Sequence, residues 1–219
     1  MMARLGDRER RSRERRAKRT PAAADVLTKD APMDHPPELD RLLAEGMAAS
    51  REGQRDSAVA LFRRASEADP ASALPHFLLA SEQASAGDFA EAELSFANAL
   101  LLAPDFALAR YQLGLLQFSS SRAPVALLTW QPLFNLPETE ALLHFVRGFA
   151  ALAQNAFEES LAHFRRGLAC TPANPALCSD ILQVVEAVER LQAGPPEEEP
   201  GDETGSAHVL LSAYSRGLH

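Results

Sequence analysis

Residues 73–106 read ALPHFLLASEQASAGDFAEAELSFANALLLAPDF, residues 107–140 read ALARYQLGLLQFSSSRAPVALLTWQPLFNLPETE, and residues 141–174 read ALLHFVRGFAALAQNAFEESLAHFRRGLACTPAN. Set one above another, they share a period of 34 residues. Leu74, Leu108 and Leu142 fall in one column, Phe77, Tyr111 and Phe145 in a second, and Leu115 and Phe149 in a third. Pro70, Pro104 and Pro172 keep the same stride. A period in this range marks stacked supersecondary units, each unable to bury its apolar face alone.

Within each unit the periodicity is helical, and no run alternates as a strand does. Expected pairs are about Glu38–Arg51 with Gln54–Ala68, Ala73–Ser85 with Phe89–Ala103, Ala107–Ser119 with Pro124–Asn135, and Ala141–Gln154 with Phe157–Cys170. Gly53 and Gly87 mark turns, and Pro70, Pro104 and Pro172 mark stops. Pro124 and Pro175 suit the first helical position, where a missing N–H has no intrahelical partner. A last helix, about Pro175–Leu191, carries Leu177, Ile181, Leu182, Val185 and Val188 on one stripe and should close the stack. Pro132 stands where a long helix would lose a hydrogen bond, so that helix should be short or bent, the bend widening the groove locally on a functional reading.

These residues resemble the tetratricopeptide repeat (TPR), whose signature is W-x2-L-G-x2-Y, then A-x3-F, then Ala and Pro. Gly46, Ala58, Phe62, Ala65 and Pro70 match in the first repeat. Leu79, Ala80, Gly87, Phe89, Ala92, Phe96, Ala99 and Pro104 match in the second. Leu113, Gly114 and Ala126 match in the third, with Trp130 in the Phe slot, and Gly148, Phe157, Phe164 and Pro172 match in the fourth. The resemblance implies an all-α, right-handed superhelical solenoid of about four hairpins (39–72, 73–106, 107–140, 141–174) plus a capping helix at 175–191. Small residues at Gly46, Ala80, Gly114 and Gly148 should admit Phe62, Phe96, Trp130 and Phe164 between close-packed helices. Two departures stand out: Arg147 occupies a Leu slot, and the turn at Ser119–Arg122 has no Gly.

In such folds the first helix of each pair lines the concave side. The resemblance therefore puts Leu74, Phe77, Leu78, Leu108, Tyr111, Leu115, Phe118, Leu142, Phe145, Phe149 and Leu152, with Leu43 and Met47, on or near a peptide groove. The competing reading is that Phe77, Tyr111 and Phe145, and equally Leu115, Phe118 and Phe149, pack between helices. Lys, Asn and Arg, which clamp a peptide carboxylate in one subclass, are missing from these slots, which argues against that function. An apolar groove suits an amphipathic helix or an apolar extended segment.

Outside the repeats the chain changes character. Residues 1–37 are a tail, first Arg-rich, then rich in Ala and Pro, and Met33 offers an alternative start that would leave residues 1–32 untranslated. Residues 192–205 are an acidic Pro/Gly linker. The stretch 206–219 is again amphipathic, and Val209, Leu210, Tyr214 and Leu218 could serve as a ligand in cis, capping the groove, or dock on a partner.

Net charge is −8, yet residues 1–20 hold nine basic residues against three acidic ones, so the remainder is at −14. An acidic body argues against duplex nucleic acid as a ligand, and the basic tail lacks interleaved aromatics. No apolar run suffices for a membrane span. Cys170 and Cys178 fit neither a metal motif nor a disulfide framework and read as thiols in a reducing cytosol. His76 and His144 share a slot normally filled by a packed aromatic, and no motif for a nucleophile, phosphate loop or metal appears.

The sequence thus describes a cytoplasmic, non-enzymatic adaptor without cofactor or metal. Its partner would be a protein or peptide of unknown identity, and self-association is compatible with the fold. The alternatives are a chaperone-like holder of hydrophobic clients and, more weakly, a nucleic-acid-associated protein acting through its N-terminus.

Overall fold

In the computed structural model, residues 37–170 and 175–193 are described. Four helical pairs follow one another: α1 (Pro37–Arg51) with α2 (Arg55–Ala68), α3 (Ala73–Ala86) with α4 (Phe89–Leu102), α5 (Ala107–Ser119) with α6 (Ala123–Trp130), and α7 (Ala141–Leu152) with α8 (Phe157–Ala169). The helix α9 (Pro175–Gln192) ends the stack. Each helix packs on its own partner, and α2 on α3 and α4 on α5 join successive pairs. This is an all-α solenoid, and no strand occurs among the described residues. Apart from Pro37, the tail lies outside the described residues. So do 194–205 and the proposed cis ligand Val209, Leu210, Tyr214 and Leu218.

One contact recurs in every pair. A Cβ added at Gly46 would lie 2.5 Å from the Phe62 ring, at Gly114 2.2 Å from Trp130 Nε1, and at Gly148 2.5 Å from the Phe164 ring. These distances are too short for any side chain, so the ring fills the notch left by the missing Cβ. Gly167 adds an inverted version, its notch taken by Phe145. In the second pair Ala80 takes the Gly position, and both it and Phe96 are buried.

Turn geometry repeats as faithfully as the packing. Gly53 (φ +73°), Gly87 (+86°), Ser121 (+60°) and Asn155 (+57°) occupy the left-handed region at the same point of each hairpin. The amide of the next residue then closes the helix by donating five residues back: Gln54 to Ala49 (2.8 Å), Asp88 to Gln83 (2.9 Å), Arg122 to Gln117 (2.9 Å) and Ala156 to Ala151 (3.0 Å). This is a glycine-type C-cap, and the geometry survives in the two turns that lack glycine. Asn tolerates this region through its short polar side chain, whereas Ser pays more of the Cβ penalty.

Pro132 acts as the sequence indicates. Helix α6 stops at Trp130, and a 3₁₀ turn, Gln131–Asn135, carries the chain past the proline. Leu133 in that turn is buried, so the short helix still contributes to the core. Arg147, the misfit in a Leu slot, turns outward and donates to Glu138 at 2.7 Å.

Between the second and third pairs lies a polar seam that the sequence reading did not foresee. Ser95 donates to the Gln83 amide oxygen (2.7 Å), and Thr129 repeats this bond to Gln117 (2.7 Å) one repeat later. Gln117 donates onward to Glu93 (3.2 Å), which Arg122 grips through both terminal nitrogens (3.1 and 2.6 Å). The hydrogen bonds from Arg122 are the main cause that holds the Glu93 carboxyl below its ordinary pKa, and Gln117 adds to it.

Two stability outcomes follow from the turns and notches. Ser121→Gly should raise stability by about 0.5–1 kcal/mol, the relief of left-handed strain exceeding the entropic cost of glycine. Gly114→Ala should cost about 1–3 kcal/mol, because Trp130 is buried and cannot yield. Denaturant midpoints of the two variants check both signs, and a Ser121→Gly variant no more stable than the parent would contradict the first.

Candidate peptide-binding site

The predicted groove residues divide by burial. Tyr111, Leu115, Phe118, Phe145, Phe149 and Leu152 are all buried. Leu74 is exposed, and Phe77, Leu78, Leu108 and Leu142 are half-buried. Of the two further positions, Leu43 is buried and Met47 exposed.

The buried aromatics are a correction to the groove reading, and their contacts give the reason. Phe118 and Phe149 stack on Trp130 at centroid distances of 5.9 and 5.5 Å, and Phe149 meets the Phe164 ring edge-on at 5.0 Å. Tyr111 stacks on Trp130 at 6.2 Å, while the Trp130 indole N–H donates to the Tyr111 carbonyl at 3.0 Å. In the third and fourth pairs this column faces the second helices and forms the core. Periodicity identified the column correctly but could not show which side covers it.

Helix α9 completes that cover. Leu177, Ile181, Val184, Val185 and Val188 join the core cluster that holds Phe149, Leu152, Leu161 and Phe164. Arg165 of α8 donates to Glu189 of α9 at 2.6 Å. The far end of α9, Gln192, opens onto a surface hollow shared with Asn155, Ala156 and Phe157. Helix α9 therefore runs back along α8 and delivers the chain to the turn between α7 and α8.

A cavity of about 220 Å³ lies where α9 comes near α3 and α5. Phe89 and Phe96 of α4 and Leu115 and Leu116 of α5 form its apolar wall. Ser81 and Ser85 of α3, Gln112 and Ser119 of α5, and Asp180 of α9 supply polar groups. Of the predicted groove residues, Leu115 is the one that lines it.

The polar groups are of one kind. Ser81 donates its hydroxyl proton to the Phe77 carbonyl (2.9 Å), Ser85 to Ser81 (2.9 Å), and Ser119 to Leu116 (3.0 Å). With these protons committed to backbone, the three hydroxyl oxygens remain as acceptors. Burial pushes the Asp180 carboxyl above its ordinary pKa, and among the described residues no hydrogen bond or ion pair offsets that cost. Apart from Gln112, the side chains that bring polarity to this cavity can accept but not donate.

The histidines cluster away from the cavity. His144 is buried with Nε2 2.9 Å from the Glu138 carbonyl, and its ring stacks on His163 at 6.0 Å. His76, its counterpart one repeat-pair earlier, is half-buried. Burial lowers the His163 pKa, and the positive charge of Arg147, His144 and Arg166 lowers it further, with Glu159 opposing. Cys170 and Cys178 are free thiols. Among the described residues no group of three or more His, Cys, Asp or Glu is placed to hold a metal ion, and no helix is long and apolar enough to cross a membrane.

No family model matches this chain, and no curated protein matches it. Solved structures do. A MamA fragment from residue 41 to the end, from Desulfovibrio magneticus RS-1, aligns over 84% of this chain and 94% of its own, with TM-score 0.55 and 13% identity. PilF of Pseudomonas aeruginosa aligns over 82% of this chain and 76% of its own, with TM-score 0.55 and 17% identity. TTC0263, a thermophilic TPR protein of Thermus thermophilus, aligns over 82% of this chain and 98% of its own, with TM-score 0.55 and 16% identity. At such identities the likeness is one of fold. The chain is a stack of helical hairpins of the repeat-solenoid class. Its notches, its turns and these neighbours make that fold the tetratricopeptide repeat.

The histidine pair sets an acid limit on the fold. A His whose folded pKa is depressed resists protonation that the unfolded chain accepts. Stability is therefore whole above the unfolded His value of about 6.5 and falls as pH drops through it. The denaturant midpoint should decline between pH 7 and 5.5, and His163→Gln should flatten the decline. An unchanged slope in that variant would assign the effect elsewhere.

Proposed function

We propose that this chain is a protein-interaction module that binds an apolar peptide or amphipathic helix on its first-helix side, without catalysis or cofactor. The observation that carries this reading is the cavity between α3, α5 and α9, open to solvent and walled by Phe89, Phe96, Leu115 and Leu116. Leu74, Met47 and Phe89 remain exposed at 42%, 42% and 45%, which supplies apolar surface beyond the cavity. An apolar hollow flanked by open apolar side chains gains from covering by another polypeptide. The buried column of Tyr111, Phe118, Phe145, Phe149 and Leu152 gives the site a rigid floor and does not touch the ligand. On this reading the solenoid spans about 38–191, with the flanking stretches as appendages.

A peptide library displayed against the full-length chain tests the proposal. Enriched sequences should be apolar, and Gln112→Trp, which fills the cavity, should weaken them by about tenfold or more, near 1.4 kcal/mol. Leu128→Glu, at a position 71% exposed on α6, should leave binding intact. Binding lost with Leu128→Glu but kept with Gln112→Trp would move the site to the second-helix side and overturn the reading.

A further inference from the structure

Among the described residues the cavity has a charge with no partner, and the chain carries a group that matches it. Asp180 faces a wall of serine oxygens whose own protons are spent on backbone carbonyls. A site made of acceptors and one carboxylate is complementary to a group that only donates. Among side chains, the guanidinium of arginine has five donors and no acceptor. Its weak hydration and planar fork also suit a partly buried carboxylate better than the ammonium of lysine does.

Position selects the occupant. Helix α9 ends at Gln192 beside Asn155–Phe157, on the rim where first helices turn into second helices. The cavity touches that same rim two turns away, at Ser85 and Phe89 and at Ser119. Neighbouring helices stand about 8–10 Å apart. The intervening residues 193–205 are Pro/Gly-rich and acidic, and a flexible chain of that length spans roughly 20 Å. Reach is therefore sufficient. Beyond the linker, residues 206–219 read SAHVLLSAYSRGLH. Arg216 is the sole arginine or lysine after Gln192, and Val209, Leu210 and Tyr214 precede it. That combination pairs apolar wall with apolar side chains and carboxylate with guanidinium.

We propose that residues 206–219 of this chain occupy the cavity in cis, with Arg216 bonded to Asp180, so that a partner must displace the chain's own segment. This rests on the reading of the cavity as a peptide site and adds its regulation. The raised Asp180 pKa agrees, since a carboxylate stripped of water is costly until a cation meets it. A tethered segment competes at an effective concentration in the millimolar range, so even a weak contact keeps the site mostly closed.

Hydrogen exchange of the full-length chain decides the matter. Amides of 206–219 should exchange at least about tenfold more slowly than free peptide. Asp180→Asn and Arg216→Gln should each abolish that protection, and the exchanged pair Asp180→Arg/Arg216→Asp should restore it. Arg216→Gln lies outside every described helix, so its result stands even if a change at Asp180 perturbs folding. Random-coil exchange in the parent chain, or protection that survives both single changes, overturns the proposal. Protection that grows with protein concentration alongside a dimer in sedimentation also overturns it, in favour of exchange between two copies. The displayed peptides keep the two readings separate. If 206–219 is unprotected while peptides still lose affinity on Gln112→Trp, the cis segment alone is refuted. If 206–219 is protected while peptides ignore the cavity, the partner reading alone is refuted.

Discussion

The whole array depends on a ring set into a gap. Gly46 receives Phe62, Gly114 receives Trp130 and Gly148 receives Phe164, and Ala80 faces Phe96 in the remaining pair. Each contact fixes how near the two helices of a hairpin come and leaves the ring's far side for the next hairpin. Trp130 shows the consequence: it meets Tyr111 and Phe118 of its own pair and Phe149 of the next. Local close packing and the joining of neighbours are thus one interaction seen from two sides, which is why a solenoid can be extended by repetition.

Surface chemistry follows from where that packing runs out. In the third and fourth pairs the first helices are covered almost all round, because α9 lies against the last pair and adds its own aliphatic stripe. Nearer the N-terminus, Met47 and Leu74 stay open. The cavity falls at this boundary, between a covered half and an uncovered half. Helix α9 is therefore both the closing element of the core and, through Asp180, a wall of the candidate site. Its sequence shows the double use: Leu177, Ile181 and Val185 turn inward, and a single acid is set among them.

Much of the fold was legible in the residues. The period exposed the hairpins, and the small residues and rings exposed the notches, because both are local and repeated. The turn at Ser121 was harder to read, since no glycine marks it, yet its backbone repeats that of Gly53 and Gly87. The site was far less legible. An aromatic column looks the same whether it faces solvent or a neighbour, so Tyr111, Phe145 and Phe149 were compatible with either role. Asp180 carried no signal, because its setting is made by Ser81 and Ser119, far away in the chain. The seam of Gln83, Ser95, Gln117 and Thr129 escaped notice for a related reason: the pairs recur at the period, but polar residues at helical spacing look like an ordinary wet surface.

The buried apolar groups do not form one pool. Leu79 and Ala80, adjacent on α3, belong to different clusters, and on α5 Leu113 and Leu116 face one cluster while Tyr111, Leu115 and Phe118 face another. Helices α3 and α5 are bulkheads between watertight compartments, with the largest compartment at the α9 end. A breach in the small N-terminal compartment need not flood the others. The molecule is built to fray progressively from its lighter end while the heavy end stays shut, and regions far apart along the stack can age, mutate and breathe on separate schedules.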